Sequence, residues 1–232
     1  TVELVQEAVE KEEKTFILCP RRGVASLVVC QDCGSASACP ACGAPLVLHN
    51  NASVRCHHCG EKSPAPKQCA HCTGWRLIAL GTGSERVTQE LTTLLPNASI
   101  THINSDSART IPQINKLLEP FVATPGAILV GTELALNHLP LAPATIITVA
   151  TDALLTLPDF RIRSRVFALL LYLRSLATRQ LAIQTRRPDE TLYKHAIQGA
   201  AIEFYREEIT ERRTYHYPPF SILIKISYRG TK

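Results

Sequence analysis

The sequence predicts an α/β protein: a parallel sheet with helices, interrupted by a small cysteine-rich ribbon module and ending at the start of a further domain. Three observations predict it. Short apolar strands alternate with helical patterns along most of the 232 residues. Eight of the nine cysteines form four Cys-x-x-Cys pairs between residues 30 and 72. The closing stretch, "YPPFSILIKISYRG", starts with a rigid proline turn and then alternates as a strand.

The elements follow in order. Residues 1–13 place Val2, Val5 and Val9 at helical spacing between charges. "TFILCP" reads as a strand and "RRGVASLVV" leads into the cysteine turns, after which "WRLIALG" is again a strand. "TGSERVTQELTTLL" is a glycine turn with a polar cap and an acidic first turn, then a helix with Val87, Leu91, Leu94 and Leu95 on one stripe. The strands "ASITHI", "AILVG" and "TIITVA" come next. A long apolar helix covers about 160–177, "LAIQT" is a strand, and "LYKHAIQGAAIEFYREEITERR" reads as one helix. This divides the chain into residues 1–28, the first helix and strand of the sheet; 29–74, the cysteine-rich insertion; 75–190, the rest of the sheet; and 191–232, a helix and strand that open the next domain.

The spacing of the cysteines argues for metal. A secreted disulfide scaffold spreads its cysteines irregularly and carries a signal peptide, whereas this N-terminus reads as an amphipathic helix. A two-residue gap lets both sulfurs of one turn point at one ion, and two such turns complete a tetrahedron around zinc. Gly34, Gly43 and Gly60 directly follow three of the turns and supply the permissive backbone needed there; the fourth is followed by Thr73 and Gly74. Four turns make two closed all-thiolate sites, which are structural and not hydrolytic. A redox dithiol needs only one pair. The spacing leaves side-by-side, crossed and nested pairings of the turns open. His57, His58 and His71 are solvent-facing or neighbouring groups, and Cys19 is a small apolar residue at a strand end.

The bulk numbers constrain less. Hydrophobic content is 45%, charged content 19% and net charge +5, which permits nucleic-acid binding without arguing for it. No apolar run approaches the roughly 20 residues of a bilayer span, so a cytoplasmic protein without a membrane partner is expected. Arg55, Lys62, Lys67 and Arg76, in and beside the module, are the candidate DNA-contacting cations. Strand ends carry "GTGS", "NSD", "GTEL" and "TD", where ligands of parallel sheets gather.

Taken together, these segments resemble the second RecA-like lobe of the PriA family, the superfamily 2 replication-restart helicases. The resemblance covers almost the whole chain: "RRG" at 21–23, the eight cysteines, "GTGSERV" at 81–87, "HINSD" at 102–106, "ILVGTE" at 128–133, "DALLTLPDFR" at 152–161 and "YPPF" at 217–220. It implies nested metal pairing, with Cys30, Cys33, Cys69 and Cys72 on one zinc and Cys39, Cys42, Cys56 and Cys59 on the other. It also implies that the module helps to engage forked or single-stranded DNA, primosome proteins and the single-stranded-DNA-binding protein, in a bacterial, nucleoid-associated setting. Gly81, Thr82, Gly131, Thr132 and Asp152 match nucleotide- and DNA-facing motifs.

The match fails where the chemistry should be. The family's long helix ends in a glutamine followed by "GRAGR"; here Tyr172 stands for the glutamine, Leu176 for the first arginine, and Arg179 alone remains as a remnant arginine finger. Losing such a cation costs about three to five orders of magnitude in phosphoryl-transfer rate. No G-x-x-x-x-G-K-[ST] loop occurs in the 232 residues, so ATP and Mg²⁺ enter only if the complete motor is active. The expectation is a DNA-binding restart scaffold with an impaired ATPase. The alternatives are a fragment of an active 3′–5′ helicase and a zinc-ribbon adaptor for protein partners.

Overall fold

The computed structural model describes the chain apart from residues 21–25, 36, 44–45, 50–52, 57–58, 81–82, 105–106, 109, 156–158, 225 and 227–232. Helix α1 (Val2–Glu10) leads into β1 (Thr15–Leu18), the central strand of a five-stranded parallel sheet. Its order is β10 (Gln180–Ile183), β9 (Thr145–Thr148), β1, β8 (Ile128–Gly131), β7 (Ile100–Ile103). All four residues of β1, β8 and β9 are buried, as strands covered on both faces require. The chain passes from β8 to β9 across β1, so the strand order reverses there and the carboxyl ends of β8, β1 and β9 meet at the switch point.

Alternation along β1 divides the core. Phe16 and Leu18 face a large cluster with Ile114, Leu118 and Phe121 of α3 (Ile111–Ala123), Val166, Phe167, Leu170 and Leu173 of α5 (Ile162–Leu176), and Leu192 and Tyr193 of α6 (Thr191–Gln198). Ile17 and Cys19 face the other side, against Val5 of α1 and Val87 and Leu91 of α2 (Ser84–Leu94). A short α4 (Glu133–Asn137) follows β8. Gly131 is required there, because a Cβ would overlap the Ala135 side chain and lie 2.8 Å from the Ile103 carbonyl.

The segment read as one helix over 192–213 is two. Gly199 adopts φ 72°, ending α6, and α7 (Ala201–Thr214) turns back to stack Phe204 on Phe167 at 3.9 Å between ring centroids. Burying Phe204 and Phe167 together overrides the continuous helical pattern. The expected C-terminal strand is not formed among the described residues after α7, where Ile222, Ile224 and Ile226 are 81–90% exposed.

The second sheet is antiparallel, in the order β5 (Lys62–Pro64), β4 (Ser53–Cys56), β3 (Leu46–His49), β2 (Ser26–Cys30), β6 (Leu77–Leu80). The strand at "WRLIALG" therefore pairs with β2, Leu27 opposite Leu80 and Cys30 opposite Leu77, and joins this sheet instead of the parallel one. The two strands pair as an antiparallel stalk that brackets the Cys-x-x-Cys turns in the chain, the first turn starting at Cys30, the last residue of β2, and the fourth ending at Cys72, before β6. No helix among the described residues is long and apolar enough to cross a membrane.

Candidate metal centre

Each turn repeats one piece of backbone geometry. The amide of the residue directly after the second cysteine folds back onto the carbonyl of the first: Gly34 to Cys30 at 2.9 Å, Gly43 to Cys39 at 2.8 Å, Gly60 to Cys56 at 2.9 Å, and Thr73 to Cys69 at 2.9 Å. The residue donating that bond adopts positive φ every time, 74°, 71° and 83° for the glycines and 57° for Thr73. Glycine meets this demand without strain; Thr73 meets it at a cost of about 1 kcal/mol or more.

Strand pairing then decides which turns meet. The β2–β6 stalk sets Cys30 opposite Leu77, bringing the first turn beside the fourth. The β3–β4 hairpin sets Leu46 opposite Cys56, bringing the third beside the second. The sulfurs fall into two groups, Cys30, Cys33, Cys69 and Cys72, and Cys39, Cys42, Cys56 and Cys59, each with its four ligand atoms within 4.8 Å of one another. Sulfur–sulfur separations across each group include 3.5 Å (Cys30–Cys72), 3.7 Å (Cys33–Cys69), 3.6 Å (Cys39–Cys59) and 3.4 Å (Cys42–Cys56). Zinc–sulfur bonds of about 2.3 Å in a tetrahedron put the sulfurs about 3.8 Å apart. A disulfide needs roughly 2.05 Å, and all nine cysteines are free thiols. Each group could thus hold one zinc ion.

Electrostatics agree with the geometry. Hydrogen bonding to Ser35 draws the Cys33 thiol down to about 6. The Gly74 amide favours a thiolate at Cys72, yet the crowding sulfurs of Cys33 and Cys30 push that thiol up to about 12. Four adjacent thiolates repel one another, and a dication at their centre removes the penalty.

The two groups have different surroundings. Cys39 and Cys56 are built into a small apolar cluster with Val28, Leu46 and Val54. The Cys30 group has polar neighbours instead. Asp32, inside the first turn, lies 3.9 Å from Cys30 Sγ and accepts from Arg76 through Nε at 2.7 Å and through Nη2. The Arg76 carbonyl accepts the Gln31 amide at 2.9 Å, and the His71 amide donates to Cys69 Sγ at 3.4 Å. Asp32 was not among the candidates; an acidic residue between two ligand cysteines is the signal that could have pointed to it.

The remaining candidates scatter. Arg55 and Lys62 are exposed and directly opposite each other on β4 and β5; Lys67 is exposed on the connection that follows, whereas Arg76 is engaged by Asp32. His71 is exposed, and His57, His58, Gly81 and Thr82 lie outside the described residues. Gly131, Thr132 and Asp152 all sit at the carboxyl edge of the parallel sheet beside the switch point. Thr132 stands at the N-cap position of α4 without a side-chain cap bond, and the Asp152 carboxylate ties the segments after β9 and β10 together. Asp152 accepts from Thr185 Oγ1 at 2.7 Å, the Arg186 amide at 2.7 Å and Tyr193 Oη at 2.5 Å. Burial opposes its charge, but those bonds hold it below the usual carboxylate value. Arg179 precedes β10 at the opposite, amino edge and is held by Glu13 at 2.8 Å and Glu7 at 3.0 Å. Cys19 is fully buried, and burial pushes its thiol up to about 12.

The profile of the PriA DNA helicase Cys-rich region (CRR) domain matches residues 39–64. The chain is similar to replication restart protein PriA of Bacillus subtilis, with 30% identity over 233 residues, covering 97% of this chain and 29% of that protein. Against the Haemophilus influenzae protein of the same name, identity is 30% over 238 residues, covering 98% and 32%. Against that of Thermotoga maritima it is 28% over 236 residues, covering 99% and 32%. The chain spans about a third of the length of these curated relatives.

Proposed function

Since the chain belongs to the PriA family, we propose that it is the zinc-braced lobe of a replication-restart protein that engages forked or single-stranded DNA and primosome partners, with little or no ATP turnover of its own. The observation that carries this reading is the pair of four-sulfur clusters, one beside the β2–β6 pair and one at the β3–β4 hairpin of the antiparallel sheet. Two closed sites hold shape and leave no coordination position for a substrate, so the module presents a surface. On that surface Arg55 and Lys62 stand side by side on neighbouring strands, an arrangement that is unfavourable alone and favourable against phosphate.

The nucleotide side of the reading rests on Arg179 and Leu176. Arg179 is neutralised by Glu7 and Glu13, and leucine cannot donate to a phosphoryl oxygen. A cytoplasmic, nucleoid-associated location belongs to the same reading.

Binding of the zinc-loaded chain to a forked oligonucleotide tests it. Affinity should fall steeply between about 50 and 200 mM salt, and Arg55→Gln with Lys62→Gln should reduce the slope of log K against log salt by about 1 each. Salt-independent binding, or none, would favour a protein adaptor. Fork-stimulated ATP hydrolysis by the full-length protein that disappears on Arg179→Ala would favour the active motor.

A further inference from the structure

The two metal sites are closed by different means, and the closure of the Cys30 site rests on residues outside the cysteine pattern. We propose that Asp32 and Arg76 form a latch over that site, with Arg76 as the cation that makes the carboxylate tolerable there. The inference rests on the zinc reading above.

A dication within four thiolates leaves a site of about −2 net charge, so an added carboxylate is unfavourable unless a cation accompanies it. Asp32 supplies such a carboxylate 3.9 Å from Cys30 Sγ. Arg76 answers with two donors from one guanidinium, Nε at 2.7 Å and Nη2. Both donors converge on Oδ1 and leave Oδ2 toward Cys30 Sγ, a placement that the two adjacent N–H groups of a planar guanidinium can make from one side. Asp32 belongs to the first turn, while Arg76 follows the fourth. The pair therefore spans the two halves of the site, in parallel with the Gln31 amide on the Arg76 carbonyl.

Gly74 completes the arrangement. Its φ is not in the left-handed region, so the absence of a side chain answers a different need. A Cβ there would overlap the Asp32 carboxylate and lie 3.2 Å from Cys72 Sγ. The space that residue 74 leaves is filled by the latch. The Cys39 site is instead packed by Val28, Leu46 and Val54, whose contribution does not depend on charge. Outer groups that orient metal ligands are worth about 10–100-fold in metal retention.

Zinc release from the intact 232-residue chain to a chromophoric chelator reads this out directly, with native mass spectrometry counting the ions that remain. Arg76→Gln should speed release of one zinc equivalent by about 10–100-fold and leave the other unchanged. Gly74→Ala should speed the same equivalent. Arg76→Gln combined with Asp32→Asn should recover part of the loss, because the uncompensated carboxylate is gone while the bridge stays broken; a purely structural contact would give a double variant no better than the single. The latch is overturned if Arg76→Gln changes neither rate, if it speeds both equivalents equally, or if the Asp32→Asn background gives no recovery. Protein that never contains zinc would instead remove the metal reading beneath it.

Discussion

The parallel sheet and the cysteine-rich module are built from one chain by two different physical strategies. The sheet buries Phe16, Ile17 and Leu18 on its central strand between two helical layers, and the larger of its two clusters alone gathers more than a dozen fully covered apolar residues. The module has strands of three to five residues and one buried cluster of five, two of them metal-facing cysteines. So small a core cannot offset the entropy of ordering its turns, and a few dozen residues seldom fold unaided. The two four-sulfur groups, able to hold one zinc ion each, are where the missing stabilisation can come from. The lesson is one of independence: the sheet should not need the ions, and the module should not survive without them.

Breaking a ligand tests that independence with the largest effect. Cys56→Ser should cost one zinc equivalent and with it the β3–β4 hairpin, since structural zinc contributes on the order of 10 kcal/mol to small domains. Amide exchange should show the module opening while β1, β8 and β9 stay protected.

The converse is a sheet substitution. Phe167→Ala removes a ring stacked at 3.9 Å on Phe204 in the centre of the larger core and should lower stability by about 3–5 kcal/mol in denaturant titration. Bound zinc should remain at two equivalents per folded chain. Loss of metal along with stability would show that the two regions are coupled.

The smallest effect sharpens the description of the sheet's carboxyl edge. Tyr193→Phe removes one hydrogen bond to the Asp152 carboxylate, for about 1.5–3 kcal/mol. Asp152 is held below its unfolded-state value, so its contribution is present above that value, near 4, and fades as pH falls through the lower folded one. The variant should differ most from the parent protein at neutral pH and converge with it as pH falls through the lowered folded-state value, as followed by urea midpoints from neutral to acid pH.

What the sequence made legible was local. The Cys-x-x-Cys turns, the glycines after them, the strands β1, β7, β8 and β9, and the helix α2 all follow from contacts within a few residues, where spacing and backbone preference decide. What it left obscure depends on distant partners. "WRLIALG" is plainly a strand, but only the pairing of Leu80 with Leu27 shows which sheet it joins. The break at Gly199 was masked because a glycine inside a helical pattern is tolerated, and only the stacking of Phe204 on Phe167 makes the turn worthwhile. Arg76 and Arg179 carry the same charge in the sequence as any solvated arginine. Asp32 claims one from 44 positions away, and Glu13 and Glu7 claim the other from 166 and 172 positions away.

The central claim is that eight sulfurs hold two ions and that those ions, not apolar burial, maintain the module. Elemental analysis joined to amide exchange before and after chelation under reducing conditions measures it most directly. The account predicts two zinc ions per chain, and on their removal rapid exchange throughout β2 to β6 with the parallel sheet still protected. Metal-free protein whose β3 and β4 amides remain as slow to exchange as those of β1 would contradict it.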